Sequence, residues 1–205
     1  MIVTIDGPAA SGKGTLARRL AEHLKLPHLD TGLLYRGVAA HMLTQRHSLD
    51  DVAAALHAAQ SVDLTGLDRD RLSAAGLGEA ASRIATIPEV RAALLKFQQD
   101  FARRPGGAVL DGRDTGTVIA PEAEAKIFVT ATPEVRAARR HRELAARGET
   151  ASYEQVLADI RRRDERDAGR AAAPLKPAPD AVLLDTTLLD IEAAFREVLN
   201  IVRRA

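Results

Sequence analysis

The chain has 205 residues, with 29 Lys and Arg against 28 Asp and Glu, a formal net charge of +1. That length supports one well-buried core and is short for two independent domains, while near-neutral charge gives no global field for nucleic acid or an anionic membrane. Cys 0 excludes disulfides, thiolate catalysis and Cys-held zinc, and Trp 0 with 3% aromatic residues argues against base-stacking platforms for single-stranded nucleic acid.

The chain opens on Ile2-Val3-Thr4-Ile5, a core strand with no basic n-region. No apolar run reaches membrane-spanning length, so a soluble cytoplasmic protein without a signal peptide is expected. The strand runs into Asp6-Gly7-Pro8-Ala9-Ala10-Ser11-Gly12-Lys13-Gly14-Thr15, and Leu16 to Leu24 is apolar at helical spacing. Strand, Gly-rich turn and helix in that order make a phosphate loop. Glycines let several N–H groups point into one cavity, the helix N-terminus adds its dipole, and Lys13 adds a positive charge for β- and γ-phosphates. Gly14 stands where G-x-x-x-x-G-K-[ST] places a hydroxyl, and Thr15 comes one residue late. Mg²⁺ is therefore expected to be held by phosphates and water more than by that side chain.

Leu26 to Asp30 reads as a short strand, followed by Thr31-Gly32 and a helix from about Leu33 to Gln45 with Leu34, Val38 and Met42 on one stripe. Asp51 starts a helix with Val52, Leu56 and Ala59 inward, and Val62-Asp63-Leu64 is a strand candidate. Residues 65–78 show no clear period. Order returns with Glu79 to Ala85. Pro88 opens a long helix through Val90, Leu94, Phe97 and Phe101, which Pro105-Gly106-Gly107 ends. Ala108-Val109-Leu110 and Lys126 to Thr130 are short buried strands. Thr132-Pro133 caps a basic helix closing at Gly148, and Ser152-x-x-Gln155 is a capping box for a second, Tyr153 to about Asp167. Pro174, Pro177 and Pro179 lead to a last strand, Ala181 to Leu184, and a helix burying Ile191, Phe195, Val198 and Val202.

Short apolar strands alternating with helices imply a parallel sheet covered on both faces, which binds ligands at the carboxyl ends of its strands. Those ends carry Gly7, Asp30-Thr31, Asp111-Gly112-Arg113-Asp114 and Thr130. Asp111 is placed to hold Mg²⁺ waters, Arg113 to grip a phosphate bidentately, and Asp114 to accept from an exocyclic amine or orient Arg113. The apolar stripe Tyr153, Val156, Leu157, Ile160 continues by helical spacing into Arg163, Asp164 and Asp167, so charge stands where the helix faces inward. Arg163, Asp167 and Arg170 form a set suited to polyphosphate, with Arg161, Arg162 and Arg166 on the wet side. Asp30, Thr31, Tyr35 and Arg36 suit a second anion and a polar ring, with an N-cap role for Asp30 or Thr31 equally open. The histidines show no metal-ligand spacing, and His23 and His28 read as ordinary helix and loop residues.

With these pieces in order, the chain resembles the bacterial cytidylate kinases over nearly its whole length. The carriers are Gly7 to Thr15 with its Gly-Lys-Gly-Thr ending, Leu29-Asp30-Thr31-Gly32…Tyr35-Arg36, Ala81-Ser82-Arg83-Ile84-Ala85 through Arg91, Asp111-Gly112-Arg113-Asp114-x-Gly116-Thr117, and Arg163 through Leu175. The resemblance implies a P-loop NTPase fold: one domain over 1–205 with a five-stranded parallel sheet flanked by helices. Its core would be 1–32, 105–146 and 174–205, its nucleotide-binding subdomain about 33–104 and its lid about 147–173. By the same resemblance Arg36, Arg91 and Arg113 would hold the CMP phosphate, and Ser82, Arg91 and Asp114 would read cytosine. Asp167 with Thr31 and Arg170 would hold the sugar and phosphate side, and Arg163 would serve the transferring phosphoryl group. In the wider fold Arg136 would stack on adenine and Arg140 would reach the ATP phosphates. Family members usually carry a longer, partly β insertion between Thr65 and Gly78, and an apolar residue where Thr115 stands, a change expected to matter little.

The expected activity is transfer of the γ-phosphoryl of ATP, with Mg²⁺, to CMP and dCMP, by a monomer with no nucleic-acid or membrane partner. A kinase for UMP, AMP or shikimate is the alternative within the class, and a P-loop nucleotide switch the alternative outside it.

Overall fold

The computed structural model describes residues 1–63, 66–68, 71–73 and 76–205. Among them, β1 (Ile2–Asp6), β2 (His28–Asp30), β3 (Ala108–Gly112), β4 (Ala125–Thr130) and β5 (Val182–Asp185) form one sheet in the order β2-β3-β1-β4-β5. β1 pairs in parallel with β3, Asp6 beside Gly112, and with β4, Val3 beside Ala125. β4 pairs in parallel with β5. Parallel neighbours need crossovers long enough to hold a helix. The helices are α1 (Lys13–Leu24), α2 (Thr31–Thr44), α3 (Val52–Ser61), α4 (Leu77–Ile84), α5 (Pro88–Ala102), α6 (Pro133–Ala146), α7 (Tyr153–Gly169) and α8 (Ile191–Val202). With β3 and β4 on either side of β1, the strand order turns at the loop that follows β1, the place where open α/β sheets take their ligands.

The chain divides into two compact units, one of residues 1–29 and 99–205 and one of residues 30–98. In the first, Val3, Ile5, Leu16, Leu20, Val109, Ile127, Val129 and Val198 bury α1 and α8 against the sheet. Each such side chain contributes about 2 kcal/mol of apolar burial. Ala137 and Leu144 of α6 pack with Val156 and Ile160 of α7, and Ala10 of the phosphate loop lies against that cluster. In the second unit Leu34, Val38, Met42, Ile84, Val90 and Leu94 are buried.

Several expectations are refined. α3 is capped by Asp51, whose side chain accepts from Ala54 N at 3.0 Å, but it buries Ala55, Ala58 and Ala59 and leaves Val52 exposed. Val62 and Asp63 are not in a strand, and Leu64, like Thr65, lies outside the described residues. β5 is an edge strand, with Val182 and Leu183 exposed, so covering on both faces does not extend to it. α8 buries Ala194, Val198 and Val202 and exposes Ile191. A single wide turn of π type, Thr115–Ile119, follows β3 and has no signal in the sequence periodicity. The capping box of α7 is formed as expected: Ser152 Oγ accepts from Gln155 N at 3.2 Å and Gln155 Oε1 from Ser152 N at 3.0 Å.

Candidate active site

The loop between β1 and α1 is shaped by backbone conformations that few residues tolerate. Gly7 passes so close to β4 that an added Cβ would stand 2.0 Å from the Val129 carbonyl oxygen. Gly12 has φ +90°, and Ala10, with φ +57°, holds a left-handed conformation costly for a residue with a Cβ. The Gly12 carbonyl accepts from Thr15 N and Leu16 N, both at 3.1 Å, which starts α1. Lys13 is buried, and its Nζ donates to the Pro8 carbonyl at 3.1 Å across the loop. Ser11 is buried with no hydrogen-bond partner on its Oγ. Thr15 faces solvent. A buried ammonium, an orphaned hydroxyl and the N–H groups of a helix start thus converge where an anion is favoured.

At the end of β3, Asp111 is 2% exposed and its Oδ1 lies 2.7 Å from His28 Nε2. Arg113 donates from Nε to Asp167 Oδ2 at 2.8 Å and from Nη1 to the Gly112 carbonyl at 3.3 Å. Asp167 sits on the inward face of α7, with Arg163 Nε 4.0 Å from the same oxygen. Burial alone would raise the Asp167 carboxyl. The charges of Arg113, Arg163 and Arg170 overcome it and bring the group down to about 2. Arg170, buried at the end of α7, donates to the Ala173 carbonyl at 2.6 Å. The helical stripe thus carries its charge inward through Arg163, Asp167 and Arg170. Arg161 and Arg162 face water, as expected, whereas Arg166 is half-buried rather than on the wet side.

Arg136, which the resemblance offers for stacking on adenine, is tied into the site by hydrogen bonds. It is 3% exposed, with Nε on the Ala131 carbonyl at 2.8 Å and Nη1 on the Ala9 carbonyl at 3.2 Å. Asp164 of α7 takes Nη1 at 3.0 Å and Nη2 at 2.6 Å. The physical reason is that a guanidinium with five donors is satisfied by two carbonyls and a bidentate carboxylate, which ties the loop, α6 and α7 together. Arg140 pairs with Glu143 on its own helix at 2.9 Å.

In the unit of residues 30–98, Asp30 caps α2, accepting from Leu33 N at 3.2 Å, so the N-cap alternative is realised by Asp30. Thr31, Tyr35 and Ser82 are buried. Arg91 lies with its guanidinium carbon 5.6 Å from the centre of the Tyr35 ring and donates to the Ala85 carbonyl at 3.4 Å. Arg36 donates to the Leu72 carbonyl at 3.5 Å.

Four residues at the site have no assigned role in the sequence. Asp164, on the inward stripe of α7, is the partner of Arg136. Asp6, the last residue of β1, accepts from Thr115 N at 2.9 Å, Thr115 Oγ1 at 2.8 Å and Gly116 N at 2.8 Å. Burial pushes its carboxyl up to about 6 against the lowering by those hydrogen bonds. Thr115, expected to matter little, is fully buried and spends its hydroxyl on that carboxylate, joining β1 to the segment that carries Asp114, itself buried. A carboxylate ending an apolar strand was the available signal for Asp6. His28 shares a face of β2 with Asp30 by the two-residue period, the signal that could have found it.

A phosphate loop at the turning point of a parallel sheet, beside a helix aiming arginines inward, defines a protein of the P-loop kinase class. A gluconokinase from Sinorhizobium meliloti 1021 has a similar fold, with a TM-score of 0.54 and 16% identity over 99% of this chain and 91% of that one. The family model for cytidylate kinase matches residues 3–204. The chain is 63% identical over 205 residues to the cytidylate kinase of Methylocella silvestris, across 100% of this chain and 95% of that relative. It is 65% identical over 207 residues to the cytidylate kinase of Xanthobacter autotrophicus, across 100% of this chain and 99% of that relative. The chain belongs to the cytidylate kinase family.

Proposed function

We propose that the chain transfers the γ-phosphoryl group of ATP to the phosphate of CMP, and of dCMP, giving ADP and the diphosphate. The observation that supports it best is the Arg113–Asp167 pair with Arg163 and Arg170 around it. It sets three guanidinium groups, only partly neutralised by one carboxylate, at the strand ends beside the phosphate loop. Such groups suit phosphoryl transfer, where charge spreads over the equatorial oxygens and catalysis is positioning with charge neutralisation. The acceptor phosphate has its second pKa near about 6 and is largely ionised at neutral pH, so no general base is required.

In this reading the N–H groups of residues 7–15 cradle the donor's phosphates and Lys13 balances the β- and γ-oxygens. Arg163 serves the transferring group, and Arg113 with Arg36 and Arg91 holds the acceptor phosphate. Ser82, Arg91 and Asp114 read cytosine, Asp167 with Thr31 and Arg170 holds the sugar and phosphate side, and Asp30 and Tyr35 belong to the same CMP-binding set. The unit of residues 30–98 corresponds to the nucleotide-binding subdomain, and residues 147–173 to the lid. Arg136 ties the loop to α6 and α7 and is the candidate for stacking on adenine. The residues present fit Mg²⁺: Asp111 is a buried carboxylate whose Oδ2 would lie 3.5 Å from a Cβ on Gly14, next to Lys13. Among the described residues, no group of three or more His, Asp or Glu side chains could hold a metal ion by itself. Asp111 would hold the ion through water, and the ion would supply charge neutralisation at the phosphates. Among the described residues no helix is long and apolar enough to cross a membrane.

ADP formation from ATP and Mg²⁺, with CMP, dCMP, UMP, AMP and shikimate supplied separately, tests this reading. CMP and dCMP are expected to support turnover and the others not. Asp114→Ala should lower kcat/KM for CMP by about 100-fold, the loss of a buried charged hydrogen-bond partner, with ATP affinity nearly unchanged. Equal loss for CMP and ATP would remove Asp114 from base reading, and turnover with AMP or shikimate would discard the acceptor.

A further inference from the structure

His28 begins β2 and has no role in the reaction as described above. Its side chain is 14% exposed, and Nε2 lies 2.7 Å from Oδ1 of Asp111, whose side chain is 4% exposed. The other oxygen, Oδ2, faces the start of α1, where a Cβ on Gly14 would stand 3.5 Å away. One oxygen is therefore anchored from β2 while the other is directed at the residue after Lys13. In its Nε2–H tautomer His28 donates this hydrogen bond to the carboxylate, which as an anion only accepts. The terminal torsion of an aspartate is broad and roughly two-fold, so a hydrogen bond from a neighbouring strand to one oxygen narrows the orientations open to the other.

We propose that His28 is a positioning residue for Asp111, fixing the carboxylate so that Oδ2 keeps facing the phosphate loop and can take the water of a divalent cation bound with ATP. This rests on the Mg²⁺ role given to Asp111 above. His28 touches no reacting atom; its effect passes through the carboxylate. Partners that orient a metal-facing carboxylate change metal affinity without changing the charge at the metal. The signature is therefore a changed response to Mg²⁺ and not a general loss of nucleotide binding. In chain terms, β2 and β3 are neighbouring strands, so the anchor is built on the sheet and not on a loop.

The test titrates ATP calorimetrically into the whole chain with and without Mg²⁺, and follows CMP-dependent ADP formation as Mg²⁺ is raised. His28→Leu keeps an apolar volume and removes the donor. It should reduce the Mg²⁺-dependent gain in ATP affinity, and raise the Mg²⁺ needed for half-maximal turnover, each by roughly 10-fold, with Mg²⁺-free ATP binding and the KM for CMP within about 2-fold. His28→Gln, whose amide nitrogen can reach the same oxygen, should restore most of the wild-type response. In an Asp111→Asn background, His28→Leu should add nothing to the Mg²⁺ dependence, because both changes act through one group.

A His28→Leu variant that melts at lower temperature with an unaltered Mg²⁺ response would make His28 a packing residue and overturn the proposal. A full additional effect in the Asp111→Asn background would overturn it too. Should His28→Leu fail to fold, His28→Asn and His28→Gln are compared. A shifted Mg²⁺ response in the shorter Asn variant alone supports the proposal, and the same response in both refutes it. If the wild-type chain binds Mg²⁺-ATP but forms no ADP with CMP, the acceptor reading fails while the calorimetric comparison still decides the role of His28.

Discussion

The phosphate loop and the inward face of α7 both gather polar groups beside the strand ends, by opposite means. Residues 7–15 do so with backbone: a glycine passing against Val129, a left-handed Ala10, and a helix start whose N–H groups point one way. α7 does so with side chains: Arg163, Asp167 and Arg170 in line with buried Val156 and Ile160. The backbone device depends on shape and is indifferent to pH. The side-chain device depends on charge balance and is adjustable by pH and by single charge changes. Arg136 joins the two, donating to Ala9 of the loop and to Asp164 of α7.

The sharpest break of that contrast is Gly7→Ala. A Cβ 2.0 Å from the Val129 oxygen meets backbone on a central strand, which cannot step aside as a flexible side chain can. The loop must shift or β4 must. The expected loss is about 3 kcal/mol or more in urea unfolding, with ATP affinity down by about 100-fold or more, because the N–H groups no longer converge. No single charge change on α7 should lower ATP affinity as far. An alanine variant within a few-fold of wild type in ATP binding would show that the loop's shape is not set by this contact.

Two buried carboxylates sharpen the same contrast with opposite signs. Asp167 is held at about 2, below its ordinary 3.8, because the arginine charges outweigh burial. A depressed group contributes stability that is complete above its unfolded value and is lost as pH falls, so this contribution disappears between about pH 4 and 2. A shift of that size corresponds to roughly 2–3 kcal/mol. Asp6 is raised to about 6 by burial, against the Thr115 and Gly116 hydrogen bonds. A raised carboxyl favours the fold while it is protonated, so its contribution is complete below about pH 4 and lost, by a similar roughly 2–3 kcal/mol, as pH rises through 6. Urea unfolding at steps from pH 2 to 7 reads both windows. Asp167→Asn should flatten the lower one and Asp6→Asn the upper. A wild-type profile level between pH 4 and 6 would mean that the hydrogen bonds on Asp6 outweigh its burial.

The contrast also explains what could be seen in the sequence. Backbone devices leave residue-type marks at fixed spacing, so Gly7, Gly12 and Lys13, the Ser152–Gln155 box and the Asp51 cap are legible before any coordinates. The inward charge of α7 is legible too, because helical period carries it on from Ile160. Partnerships between distant segments leave no such mark. Asp6 with Thr115 and His28 with Asp111 join elements far apart in the chain through the sheet order β2-β3-β1, and Asp164 meets Arg136 through the packing of α7 on α6. The π-type turn at Thr115–Ile119 belongs with them, since Asp6 supplies the acceptor for its first two N–H groups.

Arg140 gives the smallest effect and separates two roles cleanly. It is one helical turn beyond Arg136 on α6, yet its partner is Glu143, half-exposed on the same helix, which also takes Arg147 at 3.2 Å. Removing Arg140 leaves Glu143 with a partner, and exposed pairs of this kind are worth little, so Arg140→Ala should change stability by no more than about 0.5 kcal/mol. If its function is to meet the ATP phosphates, the KM for ATP should nevertheless rise by roughly 3- to 10-fold, with kcat less affected, the mark of an interaction made equally before and during transfer. An unchanged KM at an unchanged stability would leave Arg140 as a solvated helix residue. The donor side would then rest on the loop, Lys13 and the α7 arginines.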